Sequence, residues 1–130
     1  MDGNTQLLLC SSRQNYHRVE TVLKHGANPK PCNDYLYSPL HYACEQNHQY
    51  GLSTLLKHGS QPDIQNYELK TPLHICCEMK FFQSGIESLL DAGADMNVRD
   101  KNMDTPLDLC IKGGFQIQDN NRLSFLLPKY

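Results

Sequence analysis

Six cysteines and six histidines, in a chain of 130 residues, are the side chains best suited to chemistry here. Cys44 follows His41 by three residues, so on a helix a thiol and an imidazole base would lie one turn apart, as an activated cysteine nucleophile requires. Thiols and imidazoles are also zinc ligands, but no Cys-x-x-Cys occurs to seed such a site. Gly113-Gly114 lacks the Lys-Ser/Thr that turns a glycine loop into a phosphate cradle, and no Gly-x-Ser-x-Gly elbow is present. The acids are spread along the chain, with no pair that converges on one pocket.

The elements that must position these residues recur. Ser38-Pro39-Leu40-His41 is answered by Thr71-Pro72-Leu73-His74 and Thr105-Pro106-Leu107-Asp108, with the prolines 33 and then 34 residues apart. His25-Gly26-Ala27-Asn28, His58-Gly59-Ser60-Gln61 and Ala92-Gly93-Ala94-Asp95 keep the same intervals. Ser38 or Thr71 before a proline reads as an N-cap followed by the first helical position, where no amide hydrogen is needed. Each glycine reads as the left-handed residue that closes a helix. Between them, Leu52, Leu55 and Leu56, then Ile86, Leu89 and Leu90, form apolar stripes at i, i+3, i+4.

A period of this length carrying Thr-Pro-Leu-His resembles the ankyrin-repeat family, over essentially the whole chain and best in the two middle units. The resemblance implies an all-α fold, an ankyrin-repeat solenoid of stacked helix-turn-helix units with β-turn fingers. It implies one domain over 1–130, with repeats of approximately 1–32, 33–65, 66–99 and 100–130. The first unit reads as a cap, with helices near 4–12 and 15–24 and a water-facing polar string from Ser11 to Asn15. The third carries one extra residue near Phe81-Phe82. The fourth loosens after Gly113-Gly114, with a last helix expected over Asn121–Leu127 and stopped by Pro128.

By the same resemblance, the Ser38/His41 and Thr71/His74 side chains hydrogen-bond to each other and to backbone. That occupies His41 structurally and leaves Cys44 packed, so neither catalysis nor metal binding is expected. Asp108 in place of the histidine puts the equivalent network in the fourth unit in doubt. The fingers keep Asn33, Asn66 and Asp100 at their starts, but Leu36, Leu69 and Met103 stand where the family has glycine. Losing a glycine that supplies positive φ predicts altered turns, or tips that bury apolar groups against neighbours or a partner.

Cys10, Cys44, Cys76 and Cys110 fall in equivalent or adjacent slots of successive units. Small buried thiols there serve close helix packing, and a repeat spacing of about 10 Å exceeds the ~4.4–6.8 Å between Cα atoms that a disulfide spans. All six cysteines are expected to be free, which suits a cytoplasmic or nuclear compartment. The net charge of −2 and the scattered lysines and arginines give no footprint for nucleic acid. No apolar run approaches the ~18 residues of a membrane span, and the start, Met1-Asp2-Gly3-Asn4, lacks a secretory leader's basic charge.

The resemblance therefore points to a non-catalytic protein–protein interaction module, without cofactor and monomeric when free, that holds a protein partner on its finger tips and concave helical face. Its task could be to inhibit or mask a signalling or transcription partner, to recruit substrate in a ubiquitin-ligase adaptor, to mimic either from a pathogen, or to act as a structural spacer. The variable positions facing the partner are Asp34, Tyr35, Tyr37, Glu45 and Gln46 in the second unit. They are Tyr67, Glu68, Lys70, Glu78 and Met79 in the third, and Lys101, Asn102, Asp104 and Lys112 in the fourth. Ser12 and Arg13 are their first-unit counterparts. The aromatic turn at Phe81-Phe82 is the rival surface.

Overall fold

The structure, a computed structural model, describes residues 3–29, 34–78 and 83–113. Helices α1 (Gly3–Ser12) and α2 (Tyr16–Lys24) form the first pair, α3 (Pro39–Glu45) and α4 (Gln49–Lys57) the second, α5 (Pro72–Glu78) and α6 (Gln83–Asp91) the third; α7 (Pro106–Lys112) opens the fourth unit. No strand occurs among the described residues. The odd-numbered helices stack on one another as one layer, and α2, α4 and α6 stack as the other. The core lies between the layers and is lined by Leu7, Val19, Leu40, Leu52, Leu55, Leu73, Ile86 and Leu89, all fully or almost fully buried. Met79, Phe81, Phe82, Cys32 and the helix expected over 121–127 lie outside the described residues.

The helix starts follow from their caps. Ser38 Oγ accepts from the His41 amide at 3.3 Å, and the Ser38 amide donates to His41 Nδ1 at 3.1 Å, a reciprocal box. Thr71 and His74 repeat it at 3.3 and 3.1 Å. The second ring nitrogen reaches further: His41 Nε2 donates to the Lys70 carbonyl at 3.0 Å, and His74 Nε2 to the Asp104 carbonyl at 2.9 Å. A carbonyl only accepts, so Nε2 holds the proton and each imidazole is neutral. Burial agrees, pulling the His41 pKa from 6.5 down to about 4 and lowering that of His74. Each histidine thus caps its own helix and ties it to the finger of the next unit.

Asp108 keeps half of this arrangement. Its carboxylate accepts from the Thr105 amide at 2.9 Å, and its own amide donates to Thr105 Oγ1 at 3.3 Å. The box in doubt from the sequence is therefore intact, but a carboxylate has no N–H to donate as Nε2 does.

The water-facing role expected of Ser11 does not hold. Ser11 is fully buried, and its hydroxyl donates to the Leu7 carbonyl at 2.7 Å. Its surroundings are a joint between the first and second units: the Gln46 amide donates to the Ser11 carbonyl at 3.2 Å, and Tyr16 Oη donates to Gln46 Oε1 at 2.7 Å. Tyr16 lies across Gly51, where a Cβ would come within 2.5 Å of its ring. Glycine there makes room for the tyrosine.

The thiols meet along a diagonal. Cys10, Cys44, Cys76, Cys77 and Cys110 are free and buried. The Cys76 thiol faces Cys44, and that of Cys77 faces Cys110. The fifth residue after one proline touches the fourth after the next. Ile111, in the slot that Cys44 and Cys77 fill in earlier units, is 45% exposed.

Candidate functional site

The fingers are built by their first residue. Asn66 Oδ1 accepts from the amides of Glu68 and Lys70 at 2.9 and 3.0 Å, and Asp100 Oδ1 from those of Asn102 and Asp104 at 2.9 Å each. Only an acceptor oxygen is needed, so acid and amide interchange. The Asn66 carbonyl then takes the Leu69 amide at 2.9 Å, and the Asp100 carbonyl the Met103 amide at 2.9 Å, closing tight turns. Neighbouring fingers pair through Tyr67 N–H to the Tyr35 carbonyl at 3.0 Å and Lys101 N–H to the Glu68 carbonyl at 2.9 Å.

Neither expectation for the missing glycines holds within the chain. Leu36, Leu69 and Met103 keep the left-handed conformation, with φ of 59°, 61° and 66°. Their side chains are exposed instead of packed on neighbouring fingers. The Asx oxygen and the finger-to-finger bonds over-determine the turn, so it persists with a Cβ present, at a cost of about 1–2 kcal/mol per residue.

Eight residues on from each finger's last position stands a partner on the following short helix. Tyr37 donates its hydroxyl to Glu45. Lys70 Nζ donates to both Glu78 oxygens at 3.0 and 2.9 Å, and Lys112 Nζ to Asp104 at 2.7 Å. These three clasps hold finger against helix. Burial alone would lower the Lys70 pKa, but the hydrogen bond and charge of Glu78, with Glu68 and Asp100 behind, hold it above its ordinary value. Burial and then Glu45 push the Tyr37 hydroxyl upward.

The sequence-selected positions therefore divide. Lys70 and Asp104 are buried, and Gln46 is half-buried in the joint with Tyr16 and Ser11. Asp34, Tyr35, Glu45, Tyr67, Glu78, Lys101, Asn102 and Lys112 are exposed, with Tyr37 and Glu68 half-buried. Met79 falls outside the described residues. A cleft of about 390 Å³ brings Tyr35, Tyr37, Glu45, Tyr67 and Glu68 together and adds Tyr42. The rings of Tyr35 and Tyr67 lie 5.7 Å apart, tilted by 55°, and those of Tyr37 and Tyr42 lie 4.9 Å apart, edge to face. Lys101 Nζ sits 5.7 Å from the Tyr67 ring centre. Tyr42 was missed by sequence reasoning; its position, three residues before Glu45 on α3, was the available signal.

No group of three or more His, Cys, Asp and Glu side chains among the described residues could hold a metal. No described helix is long and apolar enough to cross a membrane.

No curated protein sequence matches the chain. Two family models do: "Ankyrin repeats (3 copies)" over residues 1–66 and "Ankyrin repeat" over residues 68–101. Those stretches carry both histidine boxes and all the cleft residues except Tyr67, and proteins of this kind generally bind other proteins without doing chemistry. With half the chain matched by the first model alone and the stacked helix pairs to go with it, this chain belongs to the ankyrin-repeat family.

Proposed function

We propose that this chain is a non-catalytic protein-interaction module, a single domain over 1–130, whose partner sits on the finger tips and concave helical face of the second and third units. The observation that carries this reading is the tyrosine-lined cleft. Tyr35 and Tyr67 keep 64% and 49% of their surface exposed, far more than packing between fingers requires. Tyrosine buries much area at small entropic cost and is enriched among interface hot spots. Occupying this face masks whatever surface the partner presents, so inhibition by masking is the mode of action that needs nothing further from the chain. Free, buried thiols fit a reducing cytoplasmic or nuclear setting.

The test is affinity capture from a cell lysate with the intact chain and with a Tyr35→Ala/Tyr67→Ala double variant. Tyr37 is left alone because it packs on His41 and Tyr42. A specific partner should be lost from the variant, with binding weakened by at least ~2 kcal/mol and the melting curve nearly unmoved. A partner that is retained by this variant and lost on Phe81→Ala/Phe82→Ala would move the site to the other surface.

A further inference from the structure

The cleft has a chemistry of its own. It is lined by four tyrosine rings and two carboxylates, Glu45 and Glu68, with no cation among its lining residues. Its volume of about 390 Å³ lies at the small end of the ~300–1,000 Å³ range of ligand pockets, suited to a side chain and the backbone around it. Asp34 extends the negative charge over the same two units, while the charge of Glu78 is offset by the Lys70 ammonium, 2.9 Å from it and 3.9 Å from Glu68. In the fourth unit Lys101 and Lys112 are exposed, and Lys112 clasps the finger carboxylate of Asp104. Tyr67 already receives one cation, Lys101, 5.7 Å from its ring centre, which shows that the ring is placed to act as a cation's partner.

Resting on the proposed function above, we infer that the cleft between the second and third fingers receives an arginine side chain from the partner protein, its guanidinium stacked on the tyrosine faces and hydrogen-bonded by Glu45 and Glu68. Arginine fits both halves of the site. Its plane lies flat on an aromatic ring while its edge donates several hydrogen bonds to carboxylates. A fully methylated ammonium satisfies only the rings, because it has no N–H left for the glutamates. Lysine satisfies only the carboxylates with comparable strength, being a compact and strongly hydrated charge.

The experiment is an NMR titration of the isotope-labelled full chain with four capped amino acids: N-acetyl-arginine methylamide and its citrulline, lysine and trimethyl-lysine counterparts. The arginine probe should give saturable shifts centred on Tyr35, Tyr37, Tyr42 and Tyr67, with affinity at least about tenfold above neutral citrulline. Glu45→Gln/Glu68→Gln should remove that preference while the spectrum stays folded. Tyr35→Leu, which keeps an apolar group and removes a π face, should weaken it too. Trimethyl-lysine binding tightest and surviving the Gln variant overturns the arginine assignment, as does equal binding of citrulline, or no saturable shift at the cleft with any probe. Failure here is separable from failure of the parent reading: a captured partner that needs Tyr35 and Tyr67, yet binds the Gln variant normally, keeps the interface and removes the arginine.

Discussion

The third and fourth units open with the same box, closed by side chains of different capacity. Thr71/His74 and Thr105/Asp108 satisfy the same helix-start donors at nearly the same distances. The histidine goes on to the next finger, through Nε2 to the Asp104 carbonyl. Capping and coupling are thus separate tasks that share one side chain. An acid does the first as well as an imidazole does, but has no N–H with which to do the second in the same way. The leucine after the proline follows the same division: Leu40 and Leu73 are fully buried, whereas Leu107 is only half-buried.

That contrast breaks first at the core. Leu73→Ala should destabilise by about 2–5 kcal/mol, the range for truncating a buried leucine, and Leu107→Ala by well under half as much. Denaturant melts of the two variants measure this directly. Equal losses would mean that the fourth unit is as tightly joined as the third.

A smaller effect comes from acid. The folded pKa of His41 lies near 4, below its ordinary 6.5, so the unfolded chain takes up that proton first. The stabilisation is fully present above pH 6.5 and is lost as pH falls toward 4, by up to roughly 3 kcal/mol at that one site. His74 shifts in the same direction and adds to the loss. Asp108 is held below the usual carboxylate range, first by the Thr105 amide, so its box survives this window. Melts between pH 7 and 4 should fall steeply for the native chain and less steeply for a His74→Asp variant. Parallel curves would remove His74 from the coupling.

The smallest change concerns the fingers and has the opposite sign. Leu69→Gly should stabilise by about 1 kcal/mol, because the turn's φ of 61° no longer opposes a Cβ. A loss of stability would show that the Leu69 side chain has a packing role.

Much of the fold was legible because its determinants are local and periodic. Ser38-Pro39, Thr71-Pro72, the leucine stripes and Gly26, Gly59 and Gly93, with φ near 92–95°, each declare themselves within a few residues. The joint of Ser11, Tyr16, Gln46 and Gly51 was not legible, because it occurs once and links positions 30 and 35 residues apart. Read alone, Gln46 is a polar residue on a variable helix and Ser11 one of several polar residues at a chain's end. The clasps lay within reach: Lys70 and Glu78 become Asp104 and Lys112 at the same spacing, an exchange of charge that marks contact. The turns of Leu36, Leu69 and Met103 misled because the missing glycine was weighed alone, while the Asn66 and Asp100 side chains and one bond to the preceding finger hold the turns at Leu69 and Met103 without it.

The diagonal meeting of the thiols turns the order of the units into information. Cys44 answers Cys76 and Cys77 answers Cys110, so each seam matches one unit's fifth position to the next unit's fourth. Transposing the second and third units would keep every cap, finger and stripe, and the composition would not change. It would set Cys77 against Ala43 and Ser11 against Cys76, loosening one seam and crowding the other. The modules share a plan, but they are not interchangeable bricks.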